Sequence, residues 1–341
     1  MFYAILLFLT GIGVFLVGII KFSNLLQSES NEYVKRMFKK MGNNRIVGFG
    51  VGTAATTVIQ SSTATTVIIV GLVNAGVMTL AQSTAVIFGA NVGTALSNML
   101  LSLSAFRIKY VFMSLVFVGA FIKLVTKKER LHKVCDVLIA FGIIFVGLEV
   151  MSMAFGTNAH LRGGFESVIS ATSFPLLLIL WGFLLTAVIQ SSTAATAIFI
   201  TLALNISLPF TAIIYLVMGT RLGTTITTLI AAIGATKNAK RAAVMHLLFN
   251  VFGTLIFLPI IWPLEGVIAP FFESLVPSPV WQISIFSLVL NLATAIILLA
   301  FIKPMNKLVY LIIKDKPEQI SIDEIKAHEN HEMNHGFTDK F

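Results

Sequence analysis

Charged residues are scarce in this sequence, and their scarcity argues against a soluble protein. They make up 11% of the 341 residues, whereas a soluble domain carries roughly 25%. Cysteine is nearly absent as well: Cys135 stands alone, which excludes an intrachain disulfide. Segments of about ten residues with alternating polarity, which transmembrane β-barrels require, are also missing. These absences favour an all-α membrane protein.

Apolar residues dominate what is present. They form 57% of the chain, and the mean hydropathy is +0.92. The formal charge of +9 would suit a nucleic-acid partner, but the lysines and arginines cluster in short segments between apolar stretches, which is the orientation signal of a membrane protein. We therefore expect a polytopic protein of the cell membrane that contacts the lipid bilayer and no nucleic acid.

One seven-residue stretch occurs twice. Val58–Ala64, with the sequence VIQSSTA, is repeated at Val188–Ala194, 130 residues later. The same offset aligns Gly52 with Gly182, Thr56 with Thr186, Thr66 with Thr196, Gly89 with Gly219, Gly93 with Gly223, and Thr94 with Thr224. Because chance does not hold one offset over so long a stretch, we predict an internal duplication, with repeat 1 at 1–126 and repeat 2 at 131–262. An additional transmembrane helix follows at 282–302, and a flexible cytoplasmic tail at 314–341.

The duplicated polar centres lie inside apolar segments at 46–76 and 174–206. Each centre is flanked by two apolar arms that are about half a bilayer long at 1.5 Å per residue. This pattern predicts a re-entrant helical hairpin with its polar tip near the midplane, where surrounding protein buries it. The alternative is one straight helix that packs through the small-residue face Gly48-x-x-x-Gly52-x-x-x-Thr56. The duplication favours the hairpin.

Each hairpin is followed by a span with glycines near its middle. The first, 79–101, contains Gly89 to Thr94, and the second, 209–234, contains Gly219 to Thr224. Paired glycines within a span are typical of a break in a helix. We therefore predict a broken transmembrane helix in each repeat.

The number of spans between the hairpins predicts their relative orientation. Three crossings are expected there, at 79–101, 110–126 and 134–154, so the hairpins enter from opposite faces and the repeats are inverted. A first span at 2–20 and a basic amphipathic segment at 29–45 precede them. Of the 24 lysines and arginines, 20 fall in predicted inner segments. We expect an external N-terminus, an external segment at 263–280, and a cytoplasmic C-terminus.

The residue types at the tips indicate what a midplane site could bind. Inverted repeats with irregular helices are typical of secondary transporters. Serine and threonine hydroxyls, together with helix N-termini, suit an oxyanion. Amide and hydroxyl oxygens suit a small hard cation such as sodium. We expect a two-fold pocket for an anion together with cations.

The paired Gln-Ser-Ser-Thr tips, each followed by Gly-x-x-x-Gly-Thr, resemble the type II sodium–phosphate cotransporter family over roughly residues 1–300. The resemblance implies import of inorganic phosphate driven by sodium as coupling ion, with no other cofactor. It implies a phosphate site made of Gln60, Ser61, Ser62, Thr63, Gln190, Ser191, Ser192 and Thr193. It also leads to a predicted sodium set of Gln60, Thr66, Asn91, Thr94, Gln190, Thr196, Thr224 and Asn250.

The sequence departs from that family at Arg221, which stands where the family usually has asparagine and where the first repeat has Asn91. A lone arginine within a span needs a partner. One interpretation makes Arg221 a phosphate ligand, because its planar donors match the oxyanion. The other pairs it with Glu149 or with the carbonyls of the broken helix, in a structural role.

Three rival functions compete with this interpretation of the sequence. The same kind of protein could carry another oxyanion, such as sulfate or arsenate. An ion channel also places polar residues at mid-depth, although it has no need of two opposed hairpins. A hydrolase using Ser61 or Ser191 would need an activating base, and no such residue has a motif relation to either tip, so we expect no enzyme. Monomer and homodimer both stay open.

Overall fold

The computed structural model describes residues 1–42, 44–172 and 174–314, and this part of the chain is built from helices joined by short turns. The first repeat region contains α1 (Phe2–Lys40), α2 (Arg45–Ile59), α3 (Ser62–Asn74), α4 (Leu80–Met99), a 3-10 turn (Leu101–Ala105) and α5 (Lys109–Val125). The remainder contains α6 (Glu129–Thr157), α7 (Ala159–Ala171), α8 (Pro175–Ile189), α9 (Ser192–Asn205), α10 (Phe210–Ala231), α11 (Lys237–Leu275), α12 (Pro279–Ala300) and α13 (Ile302–Ile312).

Six of the described helices are long and apolar enough to cross a membrane, namely α1, α4, α6, α10, α11 and α12. The apolar helix α5 has 17 residues, which gives it a length of about 26 Å at the short end of the spanning range. The all-α, multi-pass class predicted from composition is therefore confirmed.

The predicted helical interruption at each polar centre is confirmed. α2 ends at Ile59 and α3 begins at Ser62, while α8 ends at Ile189 and α9 begins at Ser192. The four arms have 15, 13, 15 and 14 residues, which is too short for each arm to span a bilayer alone. The two arms of each pair contact each other. The straight-helix alternative is therefore wrong.

The predicted breaks in the spans at 79–101 and 209–234 are also wrong, because α4 and α10 run without interruption through their glycines. Those glycines allow close helix approach instead. A Cβ added to Gly89 would lie 2.0 Å from the Phe49 carbonyl oxygen, and one added to Gly219 would lie 2.1 Å from that of Ile179. The α2–α4 and α8–α10 contacts therefore depend on backbone packing without side chains.

Two other predicted boundaries are corrected. The amphipathic segment at 29–45 is largely a continuation of α1, and its Val34 and Phe38 are buried in a core cluster with α3, α4 and α11. The predicted external segment at 263–280 is largely helical, since α11 continues to Leu275 through Pro259, Pro263 and Pro270. Membrane helices tolerate proline because neighbouring groups satisfy the freed backbone.

The short amphipathic helix α7 was not predicted. It lies 130 residues after the last part of α1 and so corresponds to it in the second repeat. Whereas α1 is continuous, Asn158 separates α7 from α6. The Asn158 side chain caps α7 by accepting the Leu161 N–H at 3.0 Å. The tail predicted at 314–341 lies outside the described residues, apart from Lys314.

Candidate functional site at the two hairpin tips

The two hairpin tips have the same backbone geometry. Gln60 and Gln190 adopt left-handed conformations with φ of 60° and 57°, and they are the two non-glycine residues with positive φ in the described ranges. Their N–H groups donate to the carbonyls of Thr56 and Thr186 at 2.8 and 2.7 Å. Left-handed glutamine is uncommon, and such strained positions cluster at functional sites.

Each tip then starts a new helix with a serine cap. The Ser61 hydroxyl accepts the Ala64 N–H at 3.1 Å, and the Ser191 hydroxyl accepts the Ala194 N–H at 3.2 Å. This capping places Ser62 and Ser192 at the first position of α3 and α9. The N-terminal turn of a helix carries partial positive charge and unpaired N–H groups, so both tips offer an environment that favours an anion.

Both tips line one cavity of about 350 Å³, which we call the outer cavity. All eight residues of the two tetrads contribute to its wall: Gln60, Ser61, Ser62, Thr63, Gln190, Ser191, Ser192 and Thr193. α1 closes one side with Ser23 and Asn24, and the Ser23 hydroxyl donates to the Ile59 carbonyl at 3.1 Å. The structure therefore brings together the residues predicted to bind phosphate; their binding of phosphate stays a prediction.

A smaller space, which we call the inner chamber, adjoins the outer cavity. It has a volume of about 20 Å³ and shares Ser62 and Ser192 with the outer cavity. Its other lining residues are Asn91, Thr94, Ala95, Asn98, Thr220, Arg221, Thr224, Ser287 and Asn291. These residues come from both repeats and from α12, so the chamber lies where all three parts meet.

Arg221 lines the inner chamber and not the outer cavity. Its side chain is 6% exposed, and Nη2 donates to the Thr294 hydroxyl at 3.3 Å. Nε and Nη1 are buried and have no hydrogen-bond partner among the described residues. The predicted alternative pairing with Glu149 is wrong, because Glu149 forms an ion pair with Lys109 at 2.6 Å. Pairing with carbonyls of a broken helix is also wrong, since α10 is continuous.

The residues predicted to hold sodium do not form one cluster. Gln60 and Gln190 line the outer cavity, whereas Asn91, Thr94 and Thr224 line the inner chamber. The other three lie in neither space. Thr66 is buried, and its hydroxyl has no hydrogen-bond partner in the described ranges. Thr196 accepts from Asn98 at 3.3 Å, and Asn250 donates to the His246 carbonyl at 3.0 Å.

Asn91 is held by a buried hydrogen-bond network that links α4 to α11. Its Nδ2 donates to the Ile87 carbonyl at 2.8 Å, which leaves Oδ1 as an acceptor. His246 Nε2 lies 3.1 Å from that oxygen, and Asn250 Nδ2 lies 3.4 Å from it. His246 Nε2 is therefore the protonated ring nitrogen, and Nδ1 accepts from the Thr228 hydroxyl at 2.9 Å. The network fixes the amide at the chamber wall.

The polar stripe on α12 was missed from the sequence. Ser284, Ser287, Asn291 and Thr294 are buried on one face of this helix. The Ser284 hydroxyl lies 2.6 Å from that of Ser102 and 3.2 Å from the Asn98 carbonyl. The spacing of three, four and three residues would have indicated an inward polar face. The stripe was overlooked because α12 lies beyond the internal duplication.

Several known proteins are similar to this chain in sequence. A sequence model of the Na+/Pi-cotransporter family matches residues 14–153 and 155–261, which is more than half of the chain. The Bacillus subtilis (strain 168) protein YqeW is 27% identical over 312 residues, covering 92% of this chain and 97% of YqeW. α12 lies beyond the segment that the family model matches.

Two further relatives have names that mention phosphate. The Escherichia coli (strain K12) protein named "Putative inorganic phosphate export protein YjbB" is 29% identical over 272 residues, which cover 80% of this chain and 49% of that protein. The Homo sapiens sodium-dependent phosphate transport protein 2B is 34% identical over 131 residues, which cover 36% of this chain and 19% of that protein. No solved structure matches the chain. Because the family model matches more than half of the chain, the chain belongs to the Na+/Pi-cotransporter family.

Proposed function

We propose that this protein is a sodium-coupled secondary transporter that imports inorganic phosphate across the cell membrane and is not an enzyme. The observation that carries the proposal is the convergence of both duplicated tips on one cavity. Two QSST sequences, 130 residues apart, line the same space of about 350 Å³. Family membership supports phosphate and sodium as the transported species.

The chemistry of the outer cavity favours an oxyanion. Of the residues that the structure describes, no aspartate, glutamate, lysine or arginine lines it, so the wall is neutral and rich in hydroxyl and amide groups. The first turns of α3 and α9 add their positive ends. A phosphate bound there would lie close to Ser62 and Ser192, with Arg221 on the far side of these serines in the adjoining chamber. We propose that Arg221 compensates phosphate charge and contacts phosphate when the chamber opens to the outer cavity.

Sodium would supply the remaining charge compensation. Of the eight predicted residues, Gln60 and Gln190 are best placed, since both line the same cavity as the proposed phosphate and both side chains carry an amide oxygen. Asn91, Thr94 and Thr224 share the inner chamber with Arg221, whose positive charge opposes a cation there. Thr66, Thr196 and Asn250 line neither space, so we expect them to contribute least to sodium binding.

Alternating access would follow from inverted repeats. The tips have matching backbones, and α4, α5 and α6 lie between them in the chain. An odd number of crossings would make the hairpins enter from opposite sides, as in other transporters with this design. Within the proposal, the N-terminus is external and the C-terminus cytoplasmic. The protein works in a lipid bilayer as a monomer or a homodimer.

Phosphate export is the second candidate. It is favoured by the name of YjbB, which aligns with 80% of this chain. The chain spans about half of YjbB, so the activity of that whole protein carries over only as a proposal. The direction of transport by a sodium–phosphate symporter is set by the sum of the sodium and phosphate gradients. Import is therefore expected when the sodium gradient points inward. Export that ignores sodium would favour the second candidate.

Equilibrium binding of labelled phosphate to the purified protein tests the proposed site. We expect saturable binding in sodium chloride, at least tenfold weaker binding in choline chloride, and competition by arsenate that is stronger than by sulfate. Binding of sulfate in preference to phosphate would favour a carrier of another oxyanion. Ion conductance without saturable phosphate binding would favour a channel. The Arg221→Lys variant should bind phosphate more weakly, because the planar fork is lost; unchanged affinity would remove Arg221 from the site.

A further inference from the structure

The inner chamber carries an uncompensated positive charge. Among the described residues, Arg221 is the single charged one that lines it, and no carboxylate lines it. Nε and Nη1 of Arg221 are buried and have no partner in the described part of the chain. A buried guanidinium normally pairs with an anion, because leaving it alone forfeits the solvation that it has in water. The lining of the chamber therefore favours an anion.

The guanidinium is held in place from two sides. Nη2 donates to the Thr294 hydroxyl at 3.3 Å, and the group lies 5.7 Å from the centre of the Phe249 ring. The Thr294 hydroxyl itself donates to the Leu290 carbonyl at 2.6 Å, so it can only accept from Arg221. Gly253 leaves room for the group, since an added Cβ would lie 2.9 Å from Nη2. The two free nitrogens are thus presented by a fixed side chain.

The volume of the chamber selects the size of its ligand. The space has a volume of about 20 Å³. A cavity of about 10–15 Å³ is enough for one water molecule, so the chamber holds one water molecule or one ion of similar size. Phosphate, with five non-hydrogen atoms, does not fit. The threonine hydroxyls of Thr94 and Thr224 donate to carbonyls of their own helices. Arg221 and the hydroxyls of Ser62, Ser192 and Ser287 are therefore the donors best placed for a ligand.

We propose that the inner chamber is a halide site, in which a chloride-sized anion binds Arg221 while the outer cavity is free of phosphate. Ser62 and Ser192 line both spaces, so a halide in the chamber and phosphate in the outer cavity would repel each other across them. Reciprocal weakening of the two affinities follows from linkage. The halide site stands without the proposed transport function; only its competition with phosphate rests on that function.

Thermal unfolding of the detergent-purified full chain tests the site without phosphate. Sodium gluconate is replaced stepwise by sodium chloride or sodium bromide at constant sodium concentration. We expect the melting temperature to rise and saturate with halide, as for a ligand that binds the folded state. In Arg221→Gln the half-effect concentration should rise at least tenfold. Arg162→Gln, which changes an arginine on α7 that donates to the Phe155 carbonyl at 3.5 Å, should respond like wild type.

Several results would overturn the proposal. A wild-type melting temperature that does not saturate with halide, or the same saturating response in Arg221→Gln, excludes a site on this guanidinium. If Arg221→Gln does not fold, Ala95→Val replaces it, because added methyl groups fill the chamber that Ala95 lines; an unchanged halide response in that variant contradicts the site. A response that follows sodium at constant chloride indicates a cation site instead. Loss of phosphate transport with an intact halide response would count against the proposed function alone.

Discussion

Ser62 and Ser192 are the two residues common to the outer cavity and the inner chamber. Each is the first residue of the second arm of its hairpin, and they lie 130 positions apart in the sequence. Any oxyanion bound between the tips would meet both serines, and any anion on Arg221 would lie behind them. The pair therefore links the proposed phosphate site to the buried charge.

Replacing either serine should weaken phosphate transport. A hydrogen bond to a charged ligand contributes about 1.5–3 kcal/mol, so Ser62→Ala and Ser192→Ala should each raise the KM for phosphate roughly ten- to a hundredfold. Ser114→Ala on α5 is a matched control, because that exposed serine donates to the Val111 carbonyl and contacts neither space. Wild-type kinetics in one serine variant, at equal protein in the membrane, would remove that hairpin from the site.

The left-handed glutamines give a prediction that separates strain from ligand binding. Gln60→Gly should be about 1 kcal/mol more stable than Gln60→Ala, because glycine tolerates positive φ without steric cost. Both variants should lose most phosphate transport, since both remove the amide. Melting temperatures and uptake rates of the two variants, and of the same pair at Gln190, provide the measurement. An alanine variant as stable as the glycine variant would contradict the strain, and full uptake in either would contradict the ligand role.

The glycines on the hairpin arms should differ sharply in their tolerance of a methyl group. A Cβ on Gly52 would lie 2.1 Å from the Val86 carbonyl oxygen, whereas a Cβ on Gly50 has no atom within 4 Å. Gly52→Ala should therefore destabilise the protein by about 3 kcal/mol or more, at the upper end of overpacking effects, and Gly50→Ala should not. Melting temperatures of the two variants, measured in detergent, provide the comparison. Equal stability would mean that α2 and α4 lie farther apart than described.

Impermeant thiol labelling tests the proposed orientation. In a Cys135→Ser background, a cysteine in place of Ser274 near the end of α11 should react from outside the cell. One in place of Lys127, in the turn between α5 and α6, should react only after the membrane is opened. Both original side chains are exposed, and Cys135 is 2% exposed. The reverse pattern would mean that the chain has the opposite orientation.

The duplicated VIQSSTA sequence was sufficient to predict the tips, their interruption of the helices and their meeting in one cavity. Polar residues repeated within apolar segments have few other ways to be satisfied. The roles of Gly89 and Gly219 could not be predicted in the same way. Glycine permits both an irregular backbone and close packing, and only the neighbouring helix decides which applies.

Other features depended on contacts that the pattern does not specify. The segment at 263–280 was predicted to follow the end of a span, yet much of it is helical, because α11 continues to Leu275 through Pro263 and Pro270. The sequence could not exclude an ion pair between Arg221 and Glu149, because it does not reveal that Glu149 pairs with Lys109. Thr294, the hydrogen-bond partner of Arg221, lies on α12, outside both repeats. A residue in an unrepeated segment has no counterpart in the other repeat, so the duplication cannot indicate that it lies at the site.

Uptake of labelled phosphate into proteoliposomes is the direct test of sodium-coupled phosphate transport. The purified protein is reconstituted, and an inward sodium gradient is imposed with equal phosphate on both sides. We expect phosphate to accumulate inside above its external concentration and uptake to stop when sodium is replaced by potassium. A sodium ionophore should abolish the accumulation. Equal phosphate flux in potassium, or flux that never exceeds equilibration under any sodium gradient, would contradict sodium-coupled transport.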